Sequence, residues 1–257
     1  MNRRHIQFGE QDVALCGREG DSYFDHAAPD APFAFAMRAL PDGAVVFDVG
    51  SNIGMTAVVA AKSGASRVYA FEPDPNVFPF LLETIKANAA AVNAYNIGLG
   101  AEERSLSFFS NPDSASASHL VTGDTLGHSP TGTVEMSTFD AFVKSHRIEA
   151  IDFIKIDVEG FEIDVLQGAR DTIARFKPSL LVEFNAFTMV GFRDINPRDL
   201  LRLLREVFPY VYRFKDGQPQ LIDSDGAALA FIHDNLVSAG CVDDLYCAFR
   251  PNSSSMN

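Results

Sequence analysis

Basic residues are scarce in this chain: 21 Lys and Arg stand against 34 Asp and Glu, giving a net charge of -13 and a pI near 4.8. Phosphate binding needs clustered cations, so the charge argues against a nucleic-acid partner, and a small, neutral or cationic substrate is expected. Cysteine is sparse as well. Cys16, Cys241 and Cys247 have no metal-ligand spacing; such a set reads as reduced thiols, with Cys241 and Cys247 packed in the core. No apolar stretch reaches membrane-spanning length, and Arg3 and Arg4 have no apolar segment behind them. No signal peptide, no membrane contact and a cytoplasmic location are therefore expected.

What is present suits one α/β domain with a large core: 257 residues, 47% hydrophobic and 21% charged. Residues 1–43 read as an irregular N-terminal cap or lid with one helical candidate, Ala31 to Leu40, ended by Pro41-Asp42-Gly43. Residues 44–250 form the main domain, and 251–257 a frayed, Ser-rich tail. From Ala44 strands and helices alternate: strands at Val45 to Val49, Arg67 to Phe71 and near Val92 to Ile97, with helices from Met55 to Lys62 and Val77 to Ala89. Short connections of this kind specify a parallel sheet with helices on both faces. Between Gly98 and Thr133 the regularity lapses into a candidate edge strand, Ser105 to Phe109, and a Ser-, Thr- and Gly-rich stretch that suits either a surface loop or a substrate-side lid. A strand at Ile151 to Val158, a helix from Glu162 to Arg175 and a strand at Ser179 to Phe184 follow. Pro197 opens a helix through Glu206, and Tyr210 to Phe214 with Leu245 to Phe249 suggest a terminal antiparallel pair.

Val45 to Gly54 carries the chemistry. An apolar strand runs into a turn spaced Gly50-Ser51-Asn52-Ile53-Gly54, and Glu72 ends the next strand, where an acidic residue can accept both ribose hydroxyl hydrogens. A nicotinamide dehydrogenase begins in the same way, but its G-x-G-x-x-G spacing is missing and Asp48 directly precedes the turn. An anion there sits poorly beside a pyrophosphate and well beside the ammonium and sulfonium of S-adenosylmethionine.

With Val45 to Gly54, Phe71-Glu72-Pro73 and the stretch Ile151 to Glu162 leading into Val165 to Ala169, the chain resembles the seven-strand S-adenosylmethionine methyltransferases, and more closely the FkbM family. The likeness covers about residues 44 to 185. It implies a seven-stranded Rossmann-like class I methyltransferase sheet, mostly parallel with an antiparallel C-terminal strand. It also implies that Asp48, Gly50, Ser51, Asn52 and Gly54 line the methionine and ribose side, that Glu72, beside Pro73, holds the ribose diol, and that Ile97, Gly98 and Leu99 lie near the adenine. The activity it implies is O-methylation of a hydroxyl on a small molecule or sugar. A non-catalytic S-adenosylmethionine-binding protein and a nicotinamide-dependent oxidoreductase remain as rival classes.

In Lys155-Ile156-Asp157-Val158-Glu159 the charges alternate, so an extended strand would turn Lys155, Asp157 and Glu159 to one face. A buried Lys155 needs a partner. In the methyltransferase strand order the neighbouring tip carries Glu183 and Asn185, and Lys155 with Glu183 is the expected pair. Asp157 is the principal catalytic candidate, a carboxylate that orients an acceptor hydroxyl and takes its proton late, while Glu162 suits a helix N-terminus. No metal ligand is assigned, although Asp157, Glu183 and Asn185 offer hard oxygens that suit Mg²⁺. His26 and His119 are the histidines placed to reach a substrate, and His146 belongs to an exposed helix end.

Overall fold

The computed structural model describes residues 1–121 and 128–251. An antiparallel hairpin, β1 (Asn2–Phe8) and β2 (Gln11–Gly17), precedes the short helices α1 (Ser22–His26) and α2 (Ala31–Ala39). Then come β3 (Val45–Val49), α3 (Met55–Lys62), β4 (Arg67–Phe71), α4 (Phe78–Ala87) and β5 (Val92–Tyr95). A second, four-stranded sheet follows from β6 (Gly98–Gly100), β7 (Arg104–Phe109), β8 (His119–Leu120) and β9 (Gly132–Thr138), with one 3-10 turn at Ala115–Ala117. The remainder is α5 (Phe139–Ser145), β10 (Phe153–Ile156), α6 (Glu162–Gln167), α7 (Arg170–Phe176), β11 (Ser179–Asn185), α8 (Ala186–Arg193), α9 (Pro197–Val207), β12 (Tyr210–Lys215), β13 (Gln218–Leu221), α10 (Asp225–Val237) and β14 (Val242–Ala248).

The main sheet has eight strands in the order β13-β12-β14-β11-β10-β3-β4-β5. Seven were expected; the eighth is β13, a hairpin partner of β12 in which Pro219 lies opposite Phe214. β3, β4, β5, β10 and β11 are parallel. β14 runs antiparallel to both β11 and β12, so the terminal antiparallel pair is present.

Both faces of the central strands are covered. On β3, Phe47 and Val49 enter one core and Val46 the other; on β4, Tyr69 and Phe71 divide from Val68 and Ala70 in the same way. Two-sided burial is why these strands show apolar residues on both faces and no period-2 alternation, Asp48 being the polar exception within β3. The sheet is wound outward in opposite directions from β3 and β10, and ligands in open α/β sheets bind beyond the strand ends at such a switch point. Asp48 and Lys155 face each other in register across it.

Three other expectations change. The helix foreseen from Glu162 to Arg175 is two helices, broken at Ala169 with φ -113° and ψ 10°, next to Gly168, which packs on the carbonyl of Gly100 so closely that a Cβ would lie 2.0 Å from it. The strand foreseen at Ile151 to Val158 spans only Phe153–Ile156. The irregular N-terminus contains the β1–β2 hairpin, which docks on α4: Thr84 Oγ1 accepts from the Cys16 amide at 2.9 Å and Asn88 Oδ1 from the Ala14 amide at 3.0 Å. Among the described residues no helix is long and apolar enough to cross a membrane. Of the foreseen tail, residues 252–257 lie outside the described residues, as do 122–127 of the foreseen loop or lid.

Candidate active site

The β3 turn is built on two left-handed glycines, Gly50 at φ 82° and Gly54 at φ 90°. Gly50 is required by close approach as well, since a Cβ there would stand 1.7 Å from the Asp157 carbonyl oxygen. The amides of Gly50 and Ser51 both donate to the Phe71 carbonyl, at 3.0 and 2.9 Å, which locks the turn to the tip of β4. Glu72, the next residue, accepts from the Asn52 amide at 2.9 Å and from the Asp74 amide at 2.8 Å. Burial pushes the Glu72 carboxyl up to about 8, against the opposing pull of these two amides.

Beyond these strand ends lies a cleft that opens to solvent at its mouth. Gly50, Asn52, Glu72, Pro73, Ile97, Gly98, Asp157 and Glu183 all line it, so the structure gathers these sequence-assigned residues in one place. Asp48, Ser51, Gly54 and Lys155 do not line it. Asp48 is buried behind the turn, where the Thr56 hydroxyl donates to its Oδ2 at 2.6 Å. Ser51 turns its hydroxyl back to the Asp48 carbonyl at 2.7 Å, and Gly54 starts α3 over Leu81.

The expected Lys155–Glu183 pair is replaced by another. Lys155 Nζ lies 2.9 Å from Asp157 Oδ2 and 4.0 Å from Asp48 Oδ1. The parallel register explains the change: Lys155 aligns with Leu181 on β11 and with Asp48 on β3, leaving Glu183 one pleat further along. Lys155 is held firmly charged; burial opposes this, but Asp157 and Asp48 together outweigh it. Burial pushes Asp48 up, with Lys155 pulling the other way.

The common face foreseen for Lys155, Asp157 and Glu159 is broken by the chain itself. β10 ends at Ile156, and Glu159 at φ 52° and Gly160 at φ 94° reverse direction. Carboxylate oxygens of Asp157, Glu159 and Glu183 nevertheless come within 4.8 Å of one another. Asn185 Nδ2 donates to Glu159 Oε2 at 3.4 Å, while Glu183 Oε2 has no hydrogen-bond partner. Burial raises both Glu159 and Glu183, and the Asp157 charge adds to it.

Two residues staple this turn. From inside, the buried Glu162 accepts from the amides of Val158 and Gly160, both at 3.2 Å, so its place at the start of α6 does more than favour a helix dipole. From outside, Arg193 of α8 donates to the Gly160 carbonyl at 3.3 Å, pairs with Asp164 at 2.9 Å and stacks 3.7 Å above the Phe161 ring. Phe161 in turn forms part of the cleft wall.

Of the histidines, His119 lines the cleft and stacks on Phe192 with ring centroids 3.8 Å apart. Its Nδ1 meets the Ala117 carbonyl at 3.0 Å and its Nε2 meets His128 Nδ1 at 3.3 Å; burial lowers it toward the neutral form. His26 stays exposed, turned to the Ser22 carbonyl, and His146 stacks on Phe142. Sequence reasoning passed over Tyr23, Met136 and Phe161 in the cleft wall. Gly98 held the one signal for Met136, because a Cβ there would sit 2.4 Å from its sulfur.

A model of the methyltransferase FkbM domain matches residues 48–214. The chain belongs to this family. Hexuronic acid methyltransferase AglP of Haloferax volcanii is 30% identical to this FkbM-family chain over 162 residues, 63% of the chain and 62% of that protein. Methyltransferase 1 of Beauveria bassiana is 29% identical over 156 residues, 53% of the chain and 63% of the relative. Each match takes in less than two thirds of the relative's own length. Among solved structures, methyltransferase FkbM from Methylobacillus flagellatus KT superposes with a TM-score of 0.52 at 18% identity, covering 89% of the chain and 50% of that one; this shows a shared fold.

Proposed function

We propose that this protein is an S-adenosylmethionine-dependent methyltransferase that methylates a hydroxyl oxygen of a small molecule or carbohydrate, working in the cytoplasm. The observation that carries the reading is the pairing of the Gly50 turn with Glu72 at the sheet's switch point, beside Asp157 at the tip of β10. The cleft fits such a donor. Gly50 lets the turn close against the Asp157 backbone where any Cβ would clash, Glu72 presents its carboxyl group to a ribose diol, and Ile97, Gly98 and Leu99 supply an apolar wall for a base. When bound, S-adenosylmethionine supplies an electrophilic methyl group on a sulfonium. Asp157, held by Lys155, would orient the acceptor hydroxyl and accept its proton as the methyl passes to the oxygen, its bond to sulfur breaking and S-adenosylhomocysteine leaving. Glu72 fixes the nucleoside, and the 157–162 turn closes the wall against water.

Two observations support a small acceptor. Among the described residues no Lys or Arg lines the cleft, which disfavours a polyanion, and AglP bears the name of a sugar-acid methyltransferase. Residues 1–43 act as a cap in this reading, with Tyr23 reaching the cleft from α1. Titration calorimetry with S-adenosylmethionine and S-adenosylhomocysteine tests the proposal: micromolar binding that is weakened on the order of 1.5–3 kcal/mol by Glu72→Ala supports it. Absence of binding to the intact protein overturns it.

A further inference from the structure

Every backbone amide of the turn from Gly50 to Gly54 is already engaged. Gly50 and Ser51 donate to Phe71, Asn52 to Glu72, Ile53 to the Asn52 side chain at 2.8 Å, and Gly54 to the Ser51 carbonyl at 2.8 Å. A donor molecule lying over this turn, as the proposed function requires, brings an α-carboxylate that needs its own hydrogen-bond donors. The backbone of the turn has none to offer, which leaves the Asn52 side-chain amide as its one donor on the cleft. Lys155, the cation paired with these strand tips, does not line the cleft and is shared by Asp157 and Asp48. Residues 122–127 and 252–257 contain no Lys or Arg in their sequence, so they hold no alternative cation.

Tyr23 stands in the cleft wall, and its hydroxyl makes no hydrogen bond to any described residue. Lys155 exerts the strongest influence among the charges around it, followed by Asp157, Asp48 and Glu72. Tyr23 thus lines the same cleft as Gly50, Asn52 and Asp157. Burial keeps the phenol protonated, hence a hydrogen-bond donor.

This position is built rather than incidental. Asp21, itself 8% exposed, caps α1 by accepting from the Phe24 amide at 2.9 Å and with its other oxygen accepts from the Ala115 amide at 2.9 Å. The Ser22 amide donates to the Asp113 carbonyl at 3.2 Å. Phe24 anchors the helix from below by lying over Gly17, where a Cβ would come within 2.3 Å of its ring. These ties fix Tyr23 from both sides.

We propose that Tyr23, which lies outside the residues matched by the family model, hydrogen-bonds the α-carboxylate of the bound methyl donor through its phenolic hydroxyl. The segment before β3 thereby completes the donor site instead of merely covering it. The inference rests on the methyl-donor reading, and one pair of ligands separates the two. S-adenosylmethionine and decarboxylated S-adenosylmethionine share the nucleoside, sulfonium and ammonium and differ in the carboxylate alone.

The test is calorimetry of both ligands on the full chain and on Tyr23→Phe, a change that removes one oxygen and keeps the ring, with thermal unfolding as the check on folding. The expected result is that the intact protein prefers S-adenosylmethionine, and that Tyr23→Phe weakens its binding about tenfold or more while leaving the decarboxylated ligand unchanged. Equal loss for both ligands, or no loss for either, overturns the role of Tyr23 and leaves the methyl-donor reading standing. Failure of the intact protein to bind S-adenosylmethionine overturns that reading, and this inference with it.

Discussion

Lys155 is shared by two strand tips: its Nζ stands 2.9 Å from Asp157 and 4.0 Å from Asp48, and the Asp48 oxygen it faces has no hydrogen-bond partner. That oxygen is fully shielded from water, so the ammonium is its one compensation. Lys155→Met should therefore destabilise the fold on the order of 3 kcal/mol, the cost of leaving a buried charge unpaired. The shift of the denaturant midpoint at constant m-value measures it.

The Glu72 carboxyl lies at about 8, raised from an ordinary value of 4.5 by burial. A group that holds its proton in the folded state after the unfolded chain has released it favours folding at acid pH. This contribution is fully present below pH 4.5 and is lost as pH rises through about 8. The ligand-free protein should lose stability over that window, and Glu72→Gln should flatten the slope. Thermal unfolding of both proteins across the pH range gives the difference directly.

Gly50→Ala should cost at least about 2 kcal/mol, because it combines a left-handed backbone with overpacking against a main-chain oxygen that cannot swing away. The Asp157 carbonyl would have to move from the 1.7 Å at which a Cβ would meet it. Loss of donor binding should accompany the loss of stability, and calorimetry on the folded fraction would show both.

Removing the acceptor at the heart of the 157–162 turn exposes two amides. Glu162→Ala should cost about 2 kcal/mol, and Glu162→Gln distinctly less, since the amide oxygen can still receive Val158 and Gly160. Faster hydrogen exchange at Gly160 in the alanine variant alone is the expected signature.

Methyl transfer should proceed without a divalent cation. Lys155 already pairs with Asp157, while burial and the Asp157 charge push Glu159 and Glu183 up and so disfavour the ionised form a cation needs. Turnover unchanged by a chelator is the expected outcome; turnover restored by added Mg²⁺ would refute it.

Much of the sheet was legible because two-sided burial writes itself into sequence as apolar-rich runs without alternation, as at Val45 to Phe47 and Leu180 to Val182. The N-terminal hairpin was not. β1 carries Arg3, Arg4 and His5 on a mostly exposed strand, so it lacks the alternation that marks a half-buried one. α10 escaped for the opposite reason: Ala227 to Ile232 is apolar on every side, and no stripe shows. The places of Gly50 and Glu72 in the cleft could be read from spacing, whereas the partner of Lys155 could not. Its choice between Glu183 and Asp157 turns on a register that only strand pairing sets. Tyr23 and Arg193 come from segments far from the turn they serve, and nothing local marks them.

The eighth strand has a consequence for the protein among its own copies. β13 forms one rim of the sheet, and a rim is where a second chain can add a strand and begin aggregation. Here the rim is only four residues long and contains Pro219, which cannot donate to a new ladder. An otherwise extensive sheet thus ends on an edge that resists extension.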